Sequence, residues 1–262
     1  EEELSGIDTK PLVGHLAAWN YFMSVDAPVN GEFIKTWHGH PLIVPSVAPH
    51  APFTCTQEIL RATAALAVEF DVPLQIHISE TALEVENNRA EHGMPVVPYV
   101  KKQNLFDAKV LAAHCVHVDD GEIKTLKNHN AGVAHNPSSN LKLASGFAPV
   151  SKMIHHGLNV GIGTDGPASN NDLDMFEEIR LAAFLAKSHT NDPTSLPASL
   201  ALSMATRIGA QALHVGHLTG SLEPGKLADI ILVDLNPLHN LPRFRRDKHG
   251  IYAQIVYAGH AT

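Results

Sequence analysis

The sequence predicts an α/β fold in which parallel strands are joined by crossover helices. Three observations lead there. Short apolar, β-branched runs alternate with longer helical stretches along most of the chain, the pattern of successive βα units. The polar residues that end those runs, His50, His77, His114, His135 and Asp165, follow one another at intervals of 27, 37, 21 and 30 residues, close to the ~30 residues of a βα repeat. No glycine-rich phosphate turn is present, although a doubly wound nucleotide-binding sheet usually carries one. A (β/α) barrel gathers its site at the carboxyl ends of its strands and fits these terminators better.

Residues 1–41 are the least regular; an apolar run at residues 12–23 suits a helix or a buried strand. The first strand is expected at residues 42–48, ending in Pro49-His50-Ala51-Pro52, with Thr54 or Thr56 capping a helix to about Phe70. A second strand runs from Pro73 to Glu80, followed by helices at about 81–91 and 96–103. The third strand, residues 109–113, ends in His114-Cys115, and Asp119 or Asp120 caps a helix to about Asn128. The fourth, residues 132–134, ends in His135-Asn136-Pro137 and leads into a loop; a short helix at 149–156 is closed by Gly157. The fifth is a short β-branched strand ending in Thr164-Asp165-Gly166-Pro167, turn chemistry that cannot continue a ladder. Helices are expected at 173–187 and 196–212, a strand at 230–233, and a strand-like run at 251–257. Residues 1–215 thus read as a partial barrel and 216–262 as a return into a second, smaller domain.

The 262 residues suffice for one large α/β domain. A formal charge of −8 and the lack of a Lys/Arg stripe argue against a nucleic-acid surface. The arginines at 243, 245 and 246 read as a solvated loop. No apolar run approaches the roughly 20 residues of a membrane helix, so no membrane partner is expected. Two cysteines, Cys55 and Cys115, give no disulfide framework and suit a reducing cytoplasm. Eighteen histidines invite a search for metal ligands.

His77 and Glu80 form the clearest pair: an imidazole ending a buried strand and a carboxylate three positions on. With His114 and Asp165 at equivalent strand ends, they supply the nitrogen and oxygen donors of a hydrolytic Zn²⁺ or Fe²⁺ site. Water bound to such an ion ionises near neutral pH. Asp165 would touch the metal and take the water's proton, Glu80 would protonate the leaving group, and His114 would polarise the attacking oxygen. His50 and His135 read either as substrate contacts or as turn packing. His117, His129, His155, His156, His189, His214 and His239 read as surface residues. No Gly-x-Ser-x-Gly elbow, phosphate loop or cytidine-deaminase zinc signature occurs.

Five motifs in order resemble the amidohydrolase superfamily, in particular its branch of 5-methylthioadenosine/S-adenosylhomocysteine deaminases and related triazine hydrolases. They are Ala48-Pro49-His50-Ala51-Pro52-Phe53-Thr54, Ile76-His77-Ile78-Ser79-Glu80-Thr81, Ala112-Ala113-His114-Cys115-Val116-His117, the run from His135-Asn136-Pro137 to Leu143, and the run from Gly163-Thr164-Asp165 to Asn171. The resemblance implies a TIM-barrel metal-dependent hydrolase with a small β-sandwich, of which residues 220–233 resemble the returning strand. It implies His77 and Asp165 as metal ligands, Glu80 and His114 as the proton-handling pair, His50 as a contact to the substrate's sugar, and His135 and Asn136 at the pocket border. The implied cofactor is one divalent metal, zinc first, iron or manganese as alternatives. The implied reaction is hydrolytic deamination of an adenosine-type nucleoside with release of ammonia; another heterocycle as substrate, or a non-catalytic homologue, are the alternatives.

The family's first strand carries a His-x-His pair, and none precedes Leu42 in a strand context; His38-Gly39-His40 reads as a surface turn. The chain therefore reads as truncated at both ends, holding about strands 4–8. An incomplete barrel leaves sheet edges open, so a homo-oligomer is expected.

Overall fold

The computed structural model describes residues 31–236, 238–241 and 250–260. The apolar run at residues 12–23 and the arginines at 243, 245 and 246 lie outside them. Among the described residues four strands form the sheet: β1 (Pro73–Ile78), β2 (Lys109–His114), β3 (Gly132–His135) and β4 (Val160–Ile162). All pairs are parallel and the spatial order is β1-β2-β3-β4. A doubly wound sheet reverses its strand order part-way; this one does not, and the run of consecutive neighbours is that of an incomplete (β/α) barrel.

Before the sheet come α1 (Glu32–Trp37) and α2 (Gln57–Glu69). The crossovers contain α3 (Ala82–His92), α4 (Val96–Lys102), α5 (Asp120–Asn128), α6 (Pro137–Lys142) and α7 (Val150–His155). After β4 follow α8 (Pro167–Asn170), α9 (Met175–Thr190), α10 (Ala198–Met204), α11 (Arg207–Ala212) and α12 (Gly250–Ala258). Their starts follow capping chemistry. The hydroxyls of Thr56 and Thr81 accept from the amides of Ile59 and Glu84, and Asp119 forms a reciprocal capping box with Glu122. Leu60, Leu74, Ile78, Leu105, Ile123, Leu126, Met153 and Met204 are fully buried between helices and sheet. None of the described helices is long and apolar enough to cross a membrane.

The expected strand at residues 42–48 is reduced to one parallel bridge, Val47 to Leu74. Its Val47 amide donates to Pro73 O at 2.9 Å and its carbonyl accepts from Gln75 N at 2.8 Å. Pro45 and Pro49 have no N–H to extend that ladder. The segment still lies along the β1 edge, because His77 N donates to His50 O at 3.1 Å.

Three further elements differ from expectation. Residues 230–233 form no strand; Ile230, Ile231 and Leu232 are exposed and have no sheet partner among the described residues. The apolar run at 251–257 is helical, within α12, which packs on α9 and α10; it lacks the polar alternation that would have favoured a half-buried strand. The stretch 196–212 breaks at Ala205–Thr206 into α10 and α11, where Thr206 leaves the helical region at φ −127°, ψ −103°. These two helices lie on β3 and β4 through glycines. A Cβ at Gly132 would collide with the Ala212 carbonyl, and one at Gly161 would stand 3.0 Å from Gly209 Cα.

Candidate metal and proton-transfer site

On β1 the pleat sends Leu74, Ile76 and Ile78 into the core, while Gln75 and His77 are half-buried on the opposite face. Strict alternation along β2 would leave His114 on the core side with its register partner Ile78. Instead His114 has φ 71°, and its ring stacks on His77 with centroids 5.2 Å apart and planes 26° apart. Ser79 (φ 52°), Cys115 (φ 48°) and Asp165 (φ 62°) share this left-handed conformation just past their strands. It costs about 1–2 kcal/mol per residue outside glycine, and such strain collects at functional sites. The turns out of β1, β2 and β4 thereby bring Glu80, His114 and Asp165 towards one point.

There, His114 Nε2 lies 3.7 Å from Glu80 Oε2 and 3.9 Å from Asp165 Oδ2. Ligand-type atoms of His77, His114 and Asp165 all lie within 4.8 Å of one another. His77 Nδ1 is 2.6 Å from the His50 carbonyl, which only accepts, so Nδ1 carries the proton and the neutral ring's lone pair is on Nε2. Burial is the main reason the His77 pKa is lowered, which favours that neutral form. His114 is fully buried, and its Nδ1 faces the amide oxygen of Asn140 at 2.8 Å. The proton on Nδ1 is thus fixed, and Nε2, directed at two carboxylates, has no hydrogen-bond partner among the described residues.

A buried nitrogen of that kind, a second imidazole with its lone pair on Nε2, and a carboxylate within 4.8 Å fit a divalent cation. His38 and His40 are exposed on the turn after α1, His38 Nε2 meeting the carbonyl of Phe70 at 3.1 Å.

The other expected residues spread around this centre. His50 holds Thr54 Oγ1 at 2.9 Å and sets its ring edge-on to His77, 5.1 Å between centroids. His135 is buried, its pKa pushed down to about 4 by desolvation and then by His114. Asn136 is buried against β4: a Cβ at Gly163 would stand 2.5 Å from its Oδ1. Four histidines read as surface residues, His117, His129, His156 and His214, are half-buried instead: His117 Nε2 donates to Ser145 O at 2.7 Å, and His214 Nε2 to Val110 O at 3.1 Å.

Sequence reasoning named no supporting groups. Glu84 accepts the amides of Ser79 (3.1 Å) and Glu80 (2.7 Å), clamping the turn that carries Glu80. Burial raises its pKa despite those bonds. Glu178 of α9 accepts from Ser138 N at 3.1 Å and from Asn170 Nδ2 at 2.9 Å, tying α6 to the Asp165 loop. Ser139, Asn140 and Ser145 each touch one of the central side chains. The sequence signals available for this segment were Pro137, a residue favoured at the first helical position, and the family-like run from His135 to Leu143, neither of which assigned Ser139 or Asn140 a partner.

The model of the amidohydrolase family matches residues 25–260. The chain belongs to the amidohydrolase family. A 5-methylthioadenosine/S-adenosylhomocysteine deaminase of Desulforudis audaxviator is 48% identical to this amidohydrolase chain over 224 residues, 85% of the chain and 52% of the relative. That of Moorella thermoacetica is 49% identical over 233 residues, 88% and 53%. Among solved structures, a zinc-bound adenosine deaminase from Xanthomonas campestris superimposes with a TM-score of 0.82 at 40% identity, covering 87% of this chain and 51% of that one. A guanine deaminase from C. acetobutylicum with bound guanine gives a TM-score of 0.75 at 27% identity, over 86% and 54%. The chain spans about half the length of the curated relatives it matches.

Proposed function

We propose that this amidohydrolase chain carries the proton-handling part of a hydrolytic deaminase for adenosine-type nucleosides, of which 5-methylthioadenosine and S-adenosylhomocysteine are the first candidates. The observation that carries the reading is the convergence of Glu80, His114 and Asp165 around the donor atoms of His77. His77 and Asp165 would hold a zinc ion, with His114 Nε2 beside it to act on the water. When bound, the ion supplies Lewis acidity that lets water ionise near neutral pH.

The side chains do the rest. Asp165 accepts a proton from the attacking water, and His114 Nε2, its other nitrogen occupied by Asn140, holds the attacking oxygen. Glu80 delivers a proton at the leaving amino group and regains one from Asp165, which restores both carboxyl groups. One C–O bond forms and one C–N bond breaks. One water proton leaves in ammonia and the other stays on the heterocycle. His50 at the rim, with His135 and Asn136 behind it, would border the base and sugar. Residues 1–215 are assigned to the barrel and 216–262 to the return towards a smaller domain. Two free thiols, Cys55 half-buried and Cys115 buried, support a reducing cytoplasm. The exposed run Ile230, Ile231 and Leu232 supports self-association.

Identities of 48% and 49% to deaminases of this name, against 27% to the guanine enzyme, favour the nucleoside over other heterocycles. Ammonia release from methylthioadenosine, S-adenosylhomocysteine, guanine and a triazine, each with zinc present, tests it. The expected result is ammonia from the two nucleosides and loss of the signal in Glu80→Gln. Release from guanine or triazine alone, from no substrate, or undiminished in Glu80→Gln overturns it.

A further inference from the structure

β3 enters the site in an unexpected way. Its own terminal histidine is buried behind the centre, but the chain that follows it reaches all three proton-handling groups. Within residues 139–145, Ser139 Oγ donates to Asp165 Oδ2 at 2.6 Å. Asn140 Oδ1 accepts from His114 Nδ1 at 2.8 Å. Ser145 Oγ donates to Glu80 Oε1 at 3.1 Å. The three partners come from the turns after β4, β2 and β1, so seven residues bridge the three other strand ends.

The segment is built to hold still. Pro137 starts α6 directly after β3, and Glu178 accepts the Ser138 amide. At the other end Ala144 is left-handed (φ 56°), Ser145 N closes onto Asn140 O at 2.9 Å, and Ser145 O accepts from His117 at 2.7 Å. Lys142 Nζ reaches Ala168 O at 3.0 Å in α8, just beyond Asp165. Ser139 and Asn140 are buried to 0% and 1% exposure, where a hydroxyl and an amide keep one partner because water offers no other.

We propose that Ser139, Asn140 and Ser145 form one positioning clamp. Asn140 assigns the His114 ring proton to Nδ1, leaving the Nε2 lone pair facing the centre. Ser145 occupies Glu80 Oε1 and leaves Oε2 towards His114 Nε2, whereas Ser139 holds Asp165 by Oδ2, the oxygen nearest that nitrogen, and so fixes its place at the centre. For its catalytic consequence this rests on the deaminase reading. Its geometric content does not.

Nitrogen-15 spectra of the histidine rings and carbon-13 spectra of the carboxylates, in folded wild type and variants, test it. In wild type His114 should show a protonated Nδ1. Asn140→Ala should redistribute that proton and Asn140→Asp, which still accepts, should keep it. Ser139→Ala should move only the Asp165 carboxyl signal and Ser145→Ala only that of Glu80, with Ser→Thr restoring both. The alanine variants should lose about 10–100-fold in kcat, the usual cost of losing a group that orients a ligand, with KM little changed. Ring and carboxyl signals identical to wild type in the folded variants overturn the clamp, as does a His114 ring protonated on Nε2 alone in wild type. If Asn140→Ala does not fold, Ser145→Ala, whose partner is partly open to solvent, decides on the same terms. Absence of ammonia release in wild type would refute the deaminase reading while leaving these spectra to decide the clamp.

Discussion

Glu178 offers the sharpest stability test. It lies on α9, is 1% exposed, and has its two carboxylate oxygens on different elements: Ser138 N at the start of α6, and Asn170 Nδ2 beyond Asp165. In Glu178→Ala the part-buried Ser138 amide loses its partner, at about 1–3 kcal/mol. Asn170 Nδ2 keeps a second acceptor, Thr164 O at 2.7 Å, so only one group is fully orphaned. Adding the small cavity, the expected loss is about 2–4 kcal/mol. Glu178→Gln keeps an oxygen for Ser138 and should lose less than about 1 kcal/mol.

The pH dependence carries a sign. Burial raises the Glu178 pKa above 4.5 despite its hydrogen bonds. As pH rises past 4.5 the unfolded chain ionises first, so stability from this group is greatest below 4.5 and falls as pH climbs through the folded-state pKa. Glutamine has no such term. The penalty of Glu178→Gln relative to wild type should therefore be largest near pH ~4 and shrink towards pH ~8. Urea unfolding of the three proteins at both pH values reads this directly. Equal losses for alanine and glutamine, or a penalty that grows with pH, would refute the reasoning.

Two further expectations follow from the packing around the sheet. Gly132→Ala puts a methyl into the Ala212 carbonyl, so overpacking should cost at least about 1–3 kcal/mol and lower Tm by roughly 2–4 °C per kcal/mol; calorimetry showing an unchanged Tm would contradict the close approach of α11. His135, with its pKa depressed from 6.5 to about 4, contributes stability that is present above pH 6.5 and lost as pH falls through about 4. Its share is ~3 kcal/mol, and His135→Gln should flatten the stability curve across that window, whereas an unchanged slope would show the histidine to be solvated.

What the sequence made legible was the set of strand terminators. His77, Glu80, His114 and Asp165 stand out because an apolar run, a polar end and turn chemistry coincide, and the structure places all four around one centre. The clamp was not legible. Ser139, Asn140 and Ser145 have the composition of an ordinary loop, and their partners are 65 residues away for Ser145–Glu80 and 26 for the other two. The strand at 42–48 was overdrawn because its β-branched residues outweighed two prolines that cannot donate to a ladder. The runs at 230–233 and 251–257 show that a short apolar stretch does not by itself choose between strand, coil and helix: the first has no partner strand among the described residues, and the second packs on α9 and α10.

The central claim is that imidazole nitrogens and carboxylate oxygens from separate strand ends share one cation. Zinc content, measured by mass spectrometry after equilibration and removal of free metal, tests it in wild type, His77→Ala and Asp165→Asn. The account predicts one equivalent in wild type and loss of most of it in either variant. Wild type without zinc, or variants that retain the full equivalent while folded, would contradict it.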